Sequence, residues 1–325
     1  MAEFDIISRF FTFGEKPDSV VLDKGDDCAL VRSGNATELL AITTDTLVCG
    51  THFLQDIPPH ALAYRCLATN LSDLAAMGAM PRWFSLALSL PKEIAQNQDW
   101  LAEFSQGLQV LSAEHNIYLI GGDTTSGPLS VTISAVGQVA ENRCLLRKNA
   151  KVGDLICVSG TLGDAAGALK IMLDQSTPCD IETRDALFSR FNYPSARVQV
   201  GLALLAFSSC AIDISDGLLA DLTHILKASN CCATIDIDKL PLSPALVRQF
   251  GQQAAQRMSL SGGDDYELCF TIKPSDIDKL RATAEKLDIP LHVIGQIVEG
   301  EGEGLKVVQQ GQIIEISDMG YQHFA

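Results

Sequence analysis

His60-Ala-Leu-Ala-Tyr-Arg-Cys-Leu-Ala-Thr-Asn-Leu-Ser-Asp-Leu-Ala-Ala-Met-Gly78 is the stretch on which the fold turns. Leu62, Cys66, Leu67, Leu71, Leu74 and Ala75 recur at helical spacing, which predicts a helix over 60–77 with one apolar face. Gly78 and then Pro81 end it. Within this apolar helix lies a carboxylate, Asp73, in the run Asn70-Leu71-Ser72-Asp73.

Moving outward, further aspartates fall in short pieces flanked by Gly or Thr. They are Gly25-Asp26-Asp27, Thr43-Thr44-Asp45-Thr46, Gly121-Gly122-Asp123-Thr124-Thr125, Asp213-Ile214-Ser215-Asp216-Gly217 and Gly262-Gly263-Asp264-Asp265. Several follow runs that read as strands: 39–43 ending in a polar loop at Thr44-Asp45, a short buried strand at 117–120, and 211–214. One Asp after a Gly is ordinarily a turn residue. Several carboxylates at strand ends, where Gly lets a ligand approach the backbone, suit hard cations bound through oxygen. If they converge on one cleft they repel one another, and several Mg²⁺ ions are needed to balance them. Such a site can hold a polyphosphate without a P-loop.

The remaining pattern mixes strands and helices without the even alternation of a barrel. Strands are expected at 83–90, 129–139, 155–159, 233–237 and 266–272. Helices are expected at 100–115, 162–173, 194–207, 218–229 and 275–287, with an exposed turn at Gly300–Gly304. Long alternating strands favour antiparallel or mixed sheets. The chain turns polar over Asn149-Ala150-Lys151-Val152-Gly153-Asp154, so the boundary is set there. The expectation is an α+β protein of two mixed α/β domains, 1–148 and 149–325, with a cleft between them.

Composition narrows the function. The 325 residues are 47% hydrophobic and 20% charged, as in a globular protein with a large core. A formal net charge of −16 argues against nucleic-acid binding through a basic surface, while an anionic substrate remains possible if metal ions bridge it. The ten cysteines include no Cys-x-x-Cys, and most sit in apolar runs, as small hydrophobes do in a reducing compartment. No run reaches the ~18 apolar residues of a membrane span, and the N-terminus has no basic leader, so a cytoplasmic enzyme is expected. Walker A, Gly-x-Gly-x-x-Gly, His-Glu-x-x-His and Gly-x-Ser-x-Gly are all missing from the chain. Arg147 has the right fork for a phosphate, although an isolated Arg is commonly a salt-bridge partner. His52 and the aromatic tail Gly320-Tyr321-Gln322-His323-Phe324 could meet a flat ligand or simply pack.

Taken in order, Gly25-Asp26-Asp27, Thr43–Thr46, Asn70–Gly78, Gly121–Thr125, Asp213–Leu218 and Ser261-Gly-Gly-Asp-Asp-Tyr-Glu-Leu268 make the chain resemble the thiamine-monophosphate kinase family. That family belongs to the aminoimidazole-ribonucleotide-synthetase-like ATP-binding superfamily. The resemblance implies that Asp27, Thr43, Thr44, Asp45, Asp73, Asp123, Asp213 and Asp216 hold several Mg²⁺ ions, with Asp73, Asp123 and Asp216 at the centre of catalysis. It implies that Gly122, Asp123, Arg147 and Ser215 contact ATP, and that His52, Asp264 and Tyr321 contact thiamine monophosphate. It further implies a homodimer in which strands of the N-terminal domain pair across subunits, with ATP near that interface. Asp264 stands where many relatives have Glu, Tyr321 where some have Trp, and Lys24 where an apolar residue is usual. A sister enzyme of the superfamily with another acceptor would share the aspartates but lack the His52 and Tyr321 contacts.

Overall fold

The computed structural model describes residues 17–22, 25–34, 37–174, 176–300, 304–316 and 320–321. Lys24, residues 301–303 of the expected turn and the tail residues Gln322, His323 and Phe324 lie outside this set. The first sheet holds β1 (Val20–Leu22), β2 (Ala29–Arg32), β3 (Glu38–Val48), β4 (Met80–Leu90), β5 (Tyr118–Ser126) and β6 (Ser130–Ala140), in the order β1-β2-β3-β6-β4-β5. All its pairings are antiparallel except β4 with β5, which is parallel. The second sheet holds β7 (Leu155–Ser159), β8 (Cys210–Asp213), β9 (Cys232–Asp236), β10 (Leu268–Ile272), β11 (Leu291–Val298), β12 (Leu305–Gln309) and β13 (Gln312–Ile314), in the order β13-β12-β9-β11-β7-β10-β8. It too is mixed, because β12 runs parallel to β9 while its other pairs are antiparallel. Two mixed sheets with helices are the α+β arrangement expected from the sequence.

The helices are α1 (Pro59–Ala76), α2 (Lys92–Ala95), α3 (Gln98–Glu114), α4 (Asp164–Leu173), α5 (Ile181–Asn192), α6 (Val198–Leu204), α7 (Leu218–Ser229), α8 (Pro244–Phe250), α9 (Gln252–Ser261) and α10 (Ile277–Glu285). Four short sequence spans differ from expectation. The polar loop expected at Thr44-Asp45 is strand interior, because β6 pairs with β3 from Glu38↔Ala140 to Val48↔Ser130. Thr44 and Thr46 add hydroxyl hydrogen bonds to Ser134 at 2.8 Å and Thr132 at 2.9 Å across that pair. Gly121, Gly122 and Asp123 likewise lie inside β5. The short buried strand expected before them is buried only at Ile117, because β5 pairs with β4 alone and forms the edge of the sheet. Tyr118, Leu119 and Ile120 are consequently exposed. Of the helix expected over 194–207, only Val198–Leu204 forms.

α1 is buried around most of its circumference, beyond the single face its periodicity suggested. It packs on β3 and β6 of the first sheet, on α3 and α6, and on β8 of the second sheet. One core cluster accordingly joins Leu62, Leu67, Leu71 and Leu74 of α1 to Ala211, Leu268 and Phe270 of the second sheet. Pro59 opens α1, where its missing N–H costs nothing. Gly78 closes it at φ +65°, the left-handed cap position, with Gly78 N–H donating to the Ala75 carbonyl at 2.9 Å. Gly201 of α6 allows the last turn of α1 to come close: a Cβ there would lie 2.0 Å from the Ala75 carbonyl oxygen. Two residues before Ala75 is Asp73, so this close approach fixes the site helix. Gly201→Val is expected to lower unfolding stability by about 1–3 kcal/mol, read from the denaturant midpoint. A parent-like midpoint would show that the two helices can separate at no cost.

Candidate active site

Between the two sheets opens a cleft of about 1310 Å³. Its lining includes Thr44 and Asp45 of β3, His52, Asp73 of α1, Arg147, Asp213 at the end of β8, Ser215, Asp216, Asp264 and Tyr321. Ten of the residues singled out from sequence therefore share one wall system, although they come from stretches of chain spread from Thr44 to Tyr321. Asp27 and Thr43 stand just behind that lining. Gly122 and Asp123 do not line the cleft; both are exposed on the β5 edge.

Three carboxylates form the centre. Ligand oxygens of Asp27, Asp73 and Asp213 lie within 4.8 Å of one another. Each is delivered differently: Asp27 by the turn after Gly25 at φ +111°, Asp73 by α1, and Asp213 by the last residue of β8. Thr43 Oγ1 donates to Asp73 Oδ2, and Ser72 Oγ donates to Asp213 Oδ2 at 2.7 Å. The second bond ties α1 to the second sheet at the cluster itself. Burial, followed by Asp45, Asp213 and Asp27, pushes Asp73 well above the ordinary carboxylate range. Burial and then Asp27 and Asp221 do the same to Asp213. Burial, followed by Asp27, raises Asp26 to about 7. Like charges at this spacing with only oxygen donors are the environment a hard divalent cation stabilises. The residues present therefore fit Mg²⁺.

Arg147 sits against this cluster with its fork closed on Asp27: Nη2 to Oδ1 at 2.7 Å and Nε to Oδ2 at 3.1 Å. Burial opposes its charge, and Asp27 more than restores it. Its guanidinium thus holds Asp27 in place, while the side chain still lines the cleft.

Sequence reasoning missed two residues. Asp221, in the first turn of α7, is 3% exposed, and its Oδ2 accepts from the N–H groups of Ser215, Asp216 and Gly217, each at 3.1 Å. It fastens the Asp213–Gly217 loop from behind. The signal was present as an acid in the first turn of a helix that follows a Gly, where such acids bond free amides. Arg65 of α1 is 1% exposed and pairs with Asp264 at 2.5 Å. An Arg in the middle of a helix rich in apolar residues was the overlooked sign.

At the other end of the cleft, the Ser215 and Ile214 carbonyls accept from Asp264 N–H and Tyr266 N–H, both at 2.8 Å. Tyr321 N–H donates to the Asp216 carbonyl at 3.0 Å, which lays Tyr321 across the same loop. His52 Nδ1 accepts from Val48 N–H at 3.0 Å. Asp264, Tyr266 and Tyr321 are therefore hydrogen-bonded to the loop that follows Asp213 and carries Asp216, and His52 to the end of β3.

The sequence profile of the AIR synthase related protein N-terminal domain matches residues 25–139, and that of the AIR synthase related protein C-terminal domain matches residues 151–308. Thiamine-monophosphate kinase of Haemophilus influenzae is 46% identical over 329 residues, covering 100% of this chain and 98% of that protein. The crystal structure of thiamine-monophosphate kinase from Stenotrophomonas maltophilia superposes with a TM-score of 0.80 at 45% identity, covering 97% of this chain and 98% of that one. AaThiL complexed with AMPPCP and TMP superposes with a TM-score of 0.82 at 28% identity, covering 99% and 97%.

The carboxylate cluster sets a pH dependence. Asp26 has a folded-state value of about 7 against an ordinary 3.8, so its contribution to stability is complete below the ordinary value and is lost as pH rises through 7. In EDTA, the melting temperature is expected to rise as pH is lowered from about 8 to about 5.5, and Mg²⁺ should flatten that dependence. Asp26→Asn should reduce the slope in EDTA; an unchanged slope in scanning calorimetry would contradict the assignment.

Proposed function

The chain belongs to the thiamine-monophosphate kinases of the AIR synthase related family, and on that premise we propose that it transfers the γ-phosphoryl of ATP directly, in line, to the phosphate of thiamine monophosphate. The products are ADP and thiamine diphosphate, the last step in making that diphosphate. The observation that carries this reading is the convergence of Asp27, Asp73 and Asp213, with Asp73 and Asp213 lining one large cleft and Asp27 just behind that lining. AaThiL, similar over the full length, was solved with AMPPCP and TMP together, which supports a cleft that takes nucleotide and acceptor at once.

A phosphate acceptor is already a competent nucleophile, so the reaction needs positioning and charge balance more than a base. One acceptor oxygen forms the new bond to the γ-phosphorus while the bond to the β-bridging oxygen breaks, and ADP leaves with that electron pair. We propose that Asp27, Thr43, Thr44, Asp45, Asp73, Asp123, Asp213 and Asp216 hold several Mg²⁺ ions. Mg²⁺, when bound, supplies the positive charge that screens two approaching phosphates. Asp73, Asp123 and Asp216 are the carboxylates assigned closest to the transfer. Ser215, Gly122, Asp123 and Arg147 are assigned to ATP, with Arg147 acting through its fork on Asp27 as well as along the cleft wall. His52, Asp264 and Tyr321 are assigned to the acceptor.

Gly122 and Asp123 belong to this proposal through a second copy of the chain. β5 is an edge strand carrying exposed Tyr118, Leu119 and Ile120, a surface suited to pairing. A homodimer joined there covers these side chains and sets ATP near the seam. Residues 1–148 then form the unit for ATP, Mg²⁺ and dimerisation, and 149–325 complete the site. No helix among the described residues is long and apolar enough to cross a membrane. The free thiols fit a reducing compartment, and the cytoplasm is the proposed location.

The deciding experiment follows ADP and thiamine diphosphate from Mg-ATP with thiamine monophosphate, thiamine or no acceptor. Turnover with thiamine monophosphate alone is expected. ATP binding without that turnover would move the chain to another acceptor, and a trapped phosphoenzyme would rule out direct transfer. Asp73→Asn should lower kcat by about two orders of magnitude or more with the fold intact by circular dichroism. Near-normal turnover would make Asp73 a structural residue.

A further inference from the structure

Asp264 is held by two donors, and both act on the same oxygen. Arg65 Nη2 lies 2.5 Å from Oδ1, and Tyr266 Oη donates to that Oδ1 at 3.0 Å. Arg65 itself is immobilised. Its Nη1 donates to the Phe191 carbonyl at 2.6 Å, and its guanidinium lies 4.2 Å over the Phe191 ring. Arg65 comes from the first-sheet helix α1, whereas Asp264, Tyr266 and Phe191 belong to the second half of the chain. The backbone of the second half bends to meet it: Asp264 at φ +69° and Tyr266 at φ +50° are both in the left-handed region, which non-glycine residues seldom adopt. Hydrogen bonds from Asp264 N–H and Tyr266 N–H to Ser215 and Ile214 keep them there. A strained segment whose side chain is fixed by one oxygen is a segment built to aim the other oxygen.

We propose that Arg65 and Tyr266 clamp Asp264 through Oδ1 so that Oδ2 faces the cleft as an acceptor for an N–H donor on the ring of the substrate, which makes Arg65 a positioning residue for acceptor specificity. This rests on the assignment of Asp264 to the acceptor. The pairing with Arg65 also cancels the net charge at that point. Recognition there is therefore by hydrogen bonding, and the ring cation of the substrate is not matched by an uncompensated anion. For thiamine monophosphate the donor is the exocyclic amine of the pyrimidine. An analogue with oxo in place of that amine presents an acceptor to an acceptor and should be refused.

The test compares Arg65→Met, Arg65→Lys and Tyr266→Phe with the parent. For Arg65→Met, KM for thiamine monophosphate should rise about 10- to 100-fold while KM for ATP changes by less than about twofold. Tyr266→Phe, the milder variant, should give a smaller rise, and Arg65→Lys should recover part of the loss. Discrimination between thiamine monophosphate and the oxo analogue should fall by a similar factor in Arg65→Met. Equal rises in both KM values, or undiminished discrimination, would overturn the proposal. Amide hydrogen exchange supplies a readout that does not depend on the substrate. Exchange over 262–267 should speed up about tenfold in Tyr266→Phe and Arg65→Met, with the parent rate retained in β3. Unchanged exchange would overturn the clamp even if the kinase reading holds. If the parent does not turn over thiamine monophosphate, the kinase reading fails, and the exchange rates still decide the clamp.

Discussion

Repulsion among buried carboxylates is the constraint around which this molecule is arranged. Asp27, Asp73 and Asp213 bring ligand oxygens within 4.8 Å of one another in a largely desolvated place. Nothing in such a cluster favours folding by itself; burial and mutual repulsion raise Asp73 and Asp213 well above the carboxylate range. The rest of the fold must hold the charges together against that tendency. It does so with a core cluster that crosses from the first sheet through α1 to the second. Because the three acids come from a turn, a helix and a strand end, no local rearrangement can separate them without disturbing that shared core.

Polar contacts around the cluster then set orientation. Arg147 grips Asp27 with two hydrogen bonds, Ser72 reaches Asp213, and Asp221 binds three successive amides of the loop carrying Ser215 and Asp216. Removing any one leaves a buried charge or several amides unsatisfied, which costs more than the bond was worth. The proposed transfer between two phosphates calls for geometry that resists repulsion, which rigid presentation of the carboxylates supplies.

Much of this was legible in the sequence because the relevant signals are local. The helix over 60–77 announced itself by spacing, with Gly78 as its stop, and the strand at 155–159 and the helix at 218–229 fell where the pattern put them. Mixed sheets followed from long alternating strands. Thr44-Asp45 and Gly121-Gly122-Asp123 read locally as loops because Gly and Asp disfavour strands, and pairing with β6 and β4 overrides that preference. For Arg65 and Asp221 the sequence shows the charged residue but not its counterpart. Their partners, Asp264 and the amides of 215–217, are reached only after the two sheets meet or the loop curls back. A motif shows which acids gather, while their counter-charges are scattered over the chain.

α1 makes the two ends of the site interdependent. Arg65, Thr69 and Asp73 are spaced i, i+4 and i+8, and all three line the cleft. Eight residues of helix span about 12 Å, a length comparable to a small phosphorylated heterocycle measured from ring to phosphate. On the proposed assignments the helix works as a rigid ruler, with the clamp on Asp264 at one end and a carboxylate of the acidic cluster at the other. The bond from Ser72 to Asp213 and the pair from Arg65 to Asp264 both cross from that helix to the second half of the chain. A shift of α1 relative to the second sheet would move both ends together. Acceptors that differ in the distance from ring donor to phosphate would then fit one end or the other, and discrimination by length would accompany discrimination by hydrogen bonding without any further residue.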